Sequence, residues 1–418
     1  MSDPRPKPEH PAHLAGDIAQ DIAAGLADPD TAAATHTSVH TPHAQSLAGG
    51  SAGVALLHIE RALAQPDRWA TAHTWLSAAA RGDLNAGPGA CLFFGVPALA
   101  YLTHAAAQAT GGYQRALAQL DTATQRVTAG RLAAAHARID RGERPVLAEF
   151  DLIRGLAGLG AYHLLHSPGH PVTADVLVYL VRLTEPLPGG DPVPGWWTEH
   201  GPTGQPPADY PGGHGNFGMA HGITGPLALL ALALRAGVTV DGHTEAIARI
   251  CAWLDAWQQP HPAGRWWPRT ITLAEARTGQ CSQQGPAQPS WCYGTPGIAR
   301  AQQLAALAIR DSSRQHTAEA ALLGCLTDPA QLARIIDPSL CHGAAGLLHT
   351  TWRAASDAAT TDLTDLLPRL ADLLLNQVRT APRTSELLEG NTGAALALHT
   401  AATGTAPRSR WDSCLLLA

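Results

Sequence analysis

His221-Gly222-Ile223-Thr224-Gly225-Pro226-Leu227-Ala228-Leu229-Leu230-Ala231-Leu232-Ala233-Leu234 sets a Gly-x-x-Gly turn directly ahead of a run of small and apolar residues. The run is apolar nearly all round at helical period, so it reads as a helix buried on most faces. Pro226, next to the second glycine, suits a loop passing into the first turn of that helix. The pattern recurs at Gly50, Gly155, Gly294, Gly343 and Gly390, and in a weaker form at Gly95, where Ala98 takes the place of the second glycine. Successive first glycines lie 45, 60, 67, 72, 49 and 47 residues apart. About 45 residues hold two helices of three to four turns and their connections. Each repeat is therefore predicted to be a helical hairpin, with stretches such as 245–257 forming outer helices around an inner layer.

Composition supports that fold class. Hydrophobic residues make up 45% and aromatics 5%, so the apolar share is mostly Ala and Leu, as in closely packed helices. The expectation is an all-α protein of seven hairpins in series, which make an open superhelix or, as the preferred arrangement, a closed α/α toroid with seven inner and seven outer helices. Residues 1–13 read as a flexible N-terminal segment and 14–418 as one toroid domain. Pro- and Gly-rich stretches at 186–211 and 260–289, each with a Trp pair (Trp196, Trp197; Trp266, Trp267), are either rim loops over the mouth or surface loops folded over a helix end.

The net charge of −6, from 28 basic and 34 acidic residues without a long basic block, speaks against nucleic acid as a partner. The N-terminus has no apolar run, so neither a signal peptide nor a transmembrane segment is expected. The reading places the protein in the cytoplasm, free or peripheral to the membrane within a biosynthetic complex. Seven scattered cysteines in such a chain favour free thiols or metal ligands over disulfides.

Alignment on the first glycine gathers the chemistry. Cys292 and Cys341 both stand two residues before it, and His221, Tyr293 and His342 one residue before it. If the inner helices run parallel, all five side chains reach one mouth of the ring. Cys292, Cys341 and His342 form a set suited to zinc, with a fourth position open, although a cysteine ahead of a helix also serves as a small core residue. Asp151, four residues before Gly155, reaches the same mouth or simply caps a helix; His221 likewise is a catalyst or a cap. Cys91, Cys251, Cys281, Cys325 and Cys414 fall outside the shared register and read as structural.

With these residues in place, the chain resembles the lanthionine synthetase C family, from about residue 46 onward. The most specific segments are Ser-Trp-Cys-Tyr-Gly-Thr-Pro-Gly (290–297), Leu-Cys-His-Gly (340–343) and Gly-Met-Ala-His-Gly-Ile-Thr-Gly (218–225). The resemblance implies one Zn2+ per chain on Cys292, Cys341 and His342, with His221, Asp151 and Tyr293 as active-site residues. It also implies addition of peptide Cys thiols to dehydroalanine or dehydrobutyrine, giving (methyl)lanthionine thioether rings. The partners implied are a dehydrated precursor peptide with its leader and a dehydratase. Relatives commonly carry Arg four residues before the first metal Cys, where this chain has Gln288; Arg269 and Arg300 are the candidate substitutes. Some relatives insert a small domain early in the ring, but 108–148 reads as ordinary helix, so a bare toroid is expected. Two other classes fit a helical ring with zinc: a thiol alkyltransferase of the protein prenyltransferase type, and a non-enzymatic peptide- or thiol-binding scaffold with structural zinc. The first needs a basic diphosphate pocket and the second a fourth protein ligand.

Overall fold

The computed structural model describes residues 11–33, 44–187, 193–201 and 210–418. Residues 1–10, most of the predicted flexible segment, and much of the 186–211 loop lie outside them. Among the described residues the long helices are, in chain order, α1 (Pro11–Gly25), α2 (Ser51–Ala64), α3 (Trp69–Ala79), α4 (Val96–Thr110), α5 (Gln114–Asp140), α6 (Leu156–His166) and α7 (Pro171–Leu183). They continue with α8 (Thr224–Arg235), α9 (His243–Ala256), α10 (Thr295–Ile309), α11 (Ser312–Thr327), α12 (Ala344–Asp357), α13 (Asp362–Thr380) and α14 (Asn391–Thr403). Even-numbered helices form the inner layer and odd-numbered ones the outer layer. Each inner helix packs on the next, and α14 packs back on α2, so the ring is closed.

The repeat after Gly390 holds only an inner helix, and its outer partner comes from the start of the chain: α1 lies along α14 and touches α13. The ring is thus fastened by apolar contact between its two ends. The 27-residue α5 takes up most of 108–148 as ordinary helix. The inner helices are buried almost from end to end, as expected of rods covered on all sides. A short two-stranded sheet, β1 (His214–Asn216) with β2 (Thr270–Thr272), lies beside the mouth. The Trp pairs pack the two stretches down, Trp196 and Trp197 edge-on against Trp253 of α9 and Trp267 donating to Leu254 O (2.9 Å), while 260–289 also reaches the rim of the mouth through β2.

The glycine repeat is a close-packing device. A Cβ on the second glycine of each motif would lie 2.0–2.7 Å from the carbonyl oxygen six residues earlier: Leu47, Leu152, Met219, Trp291, Leu340 and Leu387 for Gly53, Gly158, Gly225, Gly297, Gly346 and Gly393. The loop is thereby pressed onto the first helical turn. In the weaker copy Gly95 adopts φ +79°, the turn takes another path, and Ala98 is accommodated. Gly297→Ala, whose methyl group would meet Trp291 O at 2.0 Å, is expected to cost about 2–3 kcal/mol. Gly130→Ala, exposed in mid-α5 with nothing within 4 Å, should stabilise by about 0.5–1 kcal/mol. Urea midpoints of the two variants check the pair; equal shifts would contradict the packing role.

Residues 408–417 turn into the bore from the side opposite the mouth. Asp412, fully buried, accepts from Arg353 (2.5 and 2.9 Å) and pairs with His349 Nε2 (2.7 Å). Arg300 donates to Leu417 O (3.1 and 2.8 Å), and Trp291 Nε1 to Leu415 O (3.0 Å). The bore is therefore filled rather than open. Among the described residues no helix is long and apolar enough to cross a membrane.

Candidate functional site

The loops that enter the inner helices lie side by side around one mouth, joined by backbone hydrogen bonds in the same register. Leu152 N donates to Ala220 O (3.1 Å), Met219 N to Cys292 O (2.8 Å), and Cys292 N to Cys341 O (3.2 Å). Cys341 N donates to Leu388 O (2.9 Å), Leu387 N to Ala48 O (2.9 Å) and Leu47 N to Phe93 O (2.9 Å). This belt carries equivalent positions of successive repeats to the mouth.

A second shared position caps four of the turns. Four residues before the first glycine, a side-chain oxygen accepts the N–H three residues on: Ser46 from Gly49 (3.2 Å), Ser290 from Tyr293 (3.2 Å), Ser339 from His342 (3.3 Å) and Asp151 from Arg154 (2.6 Å). Such caps satisfy donors that the turn leaves unpaired. Asp151 differs from the serines in having a second oxygen. Its Oδ1 caps the turn, and its Oδ2 reaches His221 Nδ1 at 2.7 Å. Asp151 is thus both cap and histidine partner, whereas His221 caps nothing among the described residues.

Cys292, Cys341 and His342 converge so that one ligand atom from each lies within 4.8 Å of the others, the only such group among the described residues. Two sulfurs and an imidazole nitrogen at this spacing fit a tetrahedral zinc ion with one position to spare. The hydrogen bond with Cys341 pulls the Cys292 thiol down to about 7, aided by Ser290 and His342 and opposed by burial. The same bond, together with burial, pushes the Cys341 thiol up.

Tyr293 stands between the two groups. Its ring centroid is 6.3 Å from that of His221, and its hydroxyl accepts from Asn216 Nδ2 at 3.1 Å. Burial, the largest influence, pushes the phenol up to about 12. The Arg269 guanidinium lies over the ring, 5.3 Å from its centroid. Arg300, by contrast, is fully buried against Leu417 O and Asp357 (2.7 Å), away from the mouth. Gln288 donates to His342 O (2.8 Å) and so braces the turn of that histidine.

All six residues singled out from the sequence come together here. Glu389 was missed: its carboxylate is 3.5 Å from His342 Nε2, which also lies 3.6 Å from Asp337, and burial raises its pKa. Extending the alignment to the last repeat would have found it, since Glu389 directly precedes Gly390. Asn216 lies outside the repeat register, and no sequence signal marked it. Cys91, Cys251, Cys325 and Cys414 are buried with thiols raised by desolvation, and Cys281 is half-buried.

Comparison with known proteins gives a family and a fold. The family model described as lanthionine synthetase C-like protein matches residues 41–416. A solved structure of nisin cyclase superposes with a TM-score of 0.78 at 17% sequence identity, covering 96% of this chain and 97% of that one. Among curated protein sequences none matches.

Proposed function

The chain belongs to the lanthionine synthetase C-like family, and from that premise we propose that it is a zinc-dependent lanthipeptide cyclase. It would add cysteine thiols of a dehydrated precursor peptide to dehydroalanine or dehydrobutyrine, forming lanthionine and methyllanthionine rings. The observation that carries this reading is the meeting, at one mouth, of a three-ligand sulfur and nitrogen cluster with a histidine–aspartate pair. Three ligands rather than four favour a catalytic site over a structural one.

In the proposed mechanism Cys292, Cys341 and His342 hold the metal. Bound there, zinc supplies Lewis acidity that lowers the pKa of a peptide thiol from its usual value of about 8.5. His221 handles the protons. Its Nδ1 is committed to Asp151, which leaves Nε2 to take the thiol proton and return it to the α-carbon. Asp151 is fully buried and fixed by its bond to Arg154 N, so its second oxygen orients the imidazole ring. As the S–Cβ bond forms, the Cα=Cβ electrons move onto the neighbouring carbonyl, and Tyr293 O–H donates to that developing enolate oxygen. The proton lost by sulfur equals the one gained at Cα, so no oxidant or reductant enters. A dehydratase acting beforehand supplies the alkene, the leader of the peptide brings it to this protein, and the site of action is the cytoplasm.

Ring closure does not change mass, so the test counts thiols. The zinc-loaded protein, mixed with a dehydrated Cys-containing peptide, should remove one N-ethylmaleimide-reactive thiol per ring. Thiols that stay reactive at the protein-free rate would defeat the reading.

A further inference from the structure

The Tyr293 hydroxyl has one hydrogen and one task in the proposed reaction, yet a phenol O–H can rotate between two in-plane directions. What selects its direction is on the opposite side of the oxygen. Asn216 Nδ2 donates to Tyr293 Oη at 3.1 Å, while Asn216 Oδ1 accepts from Gly218 N at 3.0 Å. The amide cannot turn over without losing the Gly218 bond. Nor can its backbone move freely: Asn216 pairs with Thr270 across β1 and β2, and its carbonyl accepts from Ile223 N (3.0 Å). The side chain is hidden behind the tyrosine, at 2% exposure.

An oxygen that already receives a hydrogen on one side must point its own hydrogen elsewhere. We propose that Asn216 is a positioning residue that keeps the Tyr293 hydroxyl a donor toward the mouth, so that it meets the carbonyl of the dehydroamino acid. The proposal rests on the cyclase reading for its consequence but not for its geometry. The Arg269 cation over the ring adds to it by making the phenol a stronger donor. Asn216 itself touches no substrate.

The ordering of two variants separates positioning from simple support. Asn216→Asp keeps the shape and the bond to Gly218 N, but at pH 8 its other carboxylate oxygen accepts the hydrogen of Tyr293 and withdraws it from the mouth. Asn216→Ala loses the Gly218 bond but leaves the hydroxyl free to rotate toward substrate. If Asn216 only supported the loop, Ala would be the more damaging change. With a positioning role, Asp is worse: ring closure should slow roughly 10-fold or more in N216D and only a few-fold in N216A. KM and zinc content should hold in both. In a Tyr293→Phe background neither substitution should slow closure further.

An activity-independent readout is the Raman doublet of Tyr293, isolated by subtracting the Tyr293→Phe spectrum. It should report a phenol that accepts in the parent and one that donates strongly in N216D. N216D closing rings within twofold of the parent, or losing rate on top of Tyr293→Phe, would overturn the proposal. An unchanged doublet would do so even if the parent forms no rings, an outcome that would by itself remove the cyclase reading.

Discussion

Cys341→Ala is expected to release the metal and end ring closure while the toroid stays folded, and Cys292→Ala should do the same. Four-ligand zinc sites are worth roughly 10–16 kcal/mol, so one ligand carries on the order of 3 kcal/mol, more than a hundredfold in affinity. A site of only three protein ligands has no reserve against such a loss. The fold should survive because the two cysteines join the belt through backbone atoms: Cys292 N to Cys341 O, and Cys341 N to Leu388 O. Removing both sulfurs touches neither bond. Zinc per chain should fall from one to near zero in each variant, and each should unfold at the urea midpoint of the zinc-stripped parent, to within about 1 kcal/mol. Ring closure should drop at least about 30-fold, since only a few per cent of a free thiol is ionised near neutral pH. A chelator should act likewise on the parent, reversibly on adding zinc back. One zinc retained by both variants would place the metal elsewhere and remove this assignment.

His221→Ala is expected to separate metal binding from chemistry. Its zinc content should equal that of the parent, because His221 is not among the clustered ligand atoms. Its ring-closure rate should fall by about 10²–10⁴, the usual contribution of a positioned proton carrier. Stability should fall too, by about 1–3 kcal/mol, since Asp151 is fully buried and its Oδ2 would lose the His221 partner. Asp151→Asn should lie between His221→Ala and the parent in rate, because an amide preserves the cap but cannot balance a charged imidazole. Closure by His221→Ala at the parent rate would show that the proton travels by another group.

Much of this site could be read along the chain because one local rule repeats. Each Gly-x-x-Gly presses the carbonyl six residues back onto its helix, so residues one, two and four places before the first glycine occupy equivalent positions in successive repeats. Cys292, Cys341, His342, His221 and Tyr293 were legible for that reason. Glu389 and the double use of Asp151 follow from the same register once it is carried to every repeat. Arg269 and Arg300 could not be separated from the sequence: one arrives through a strand pair beside Tyr293, the other is buried against Leu417 O.

By itself the sequence determined the hairpin repeat, the apolar inner layer and the register of the chemistry, because helix periodicity and glycine close contacts act over a few residues. Only the tertiary structure decided that the ring closes, that α1 completes the last hairpin, that residues 408–417 fill the bore, and that Asp151 meets His221 and Asn216 meets Tyr293. Those pairings span 70 and 77 residues. They arise from burial of apolar surface, which has no direction of its own and selects partners only when the whole chain packs.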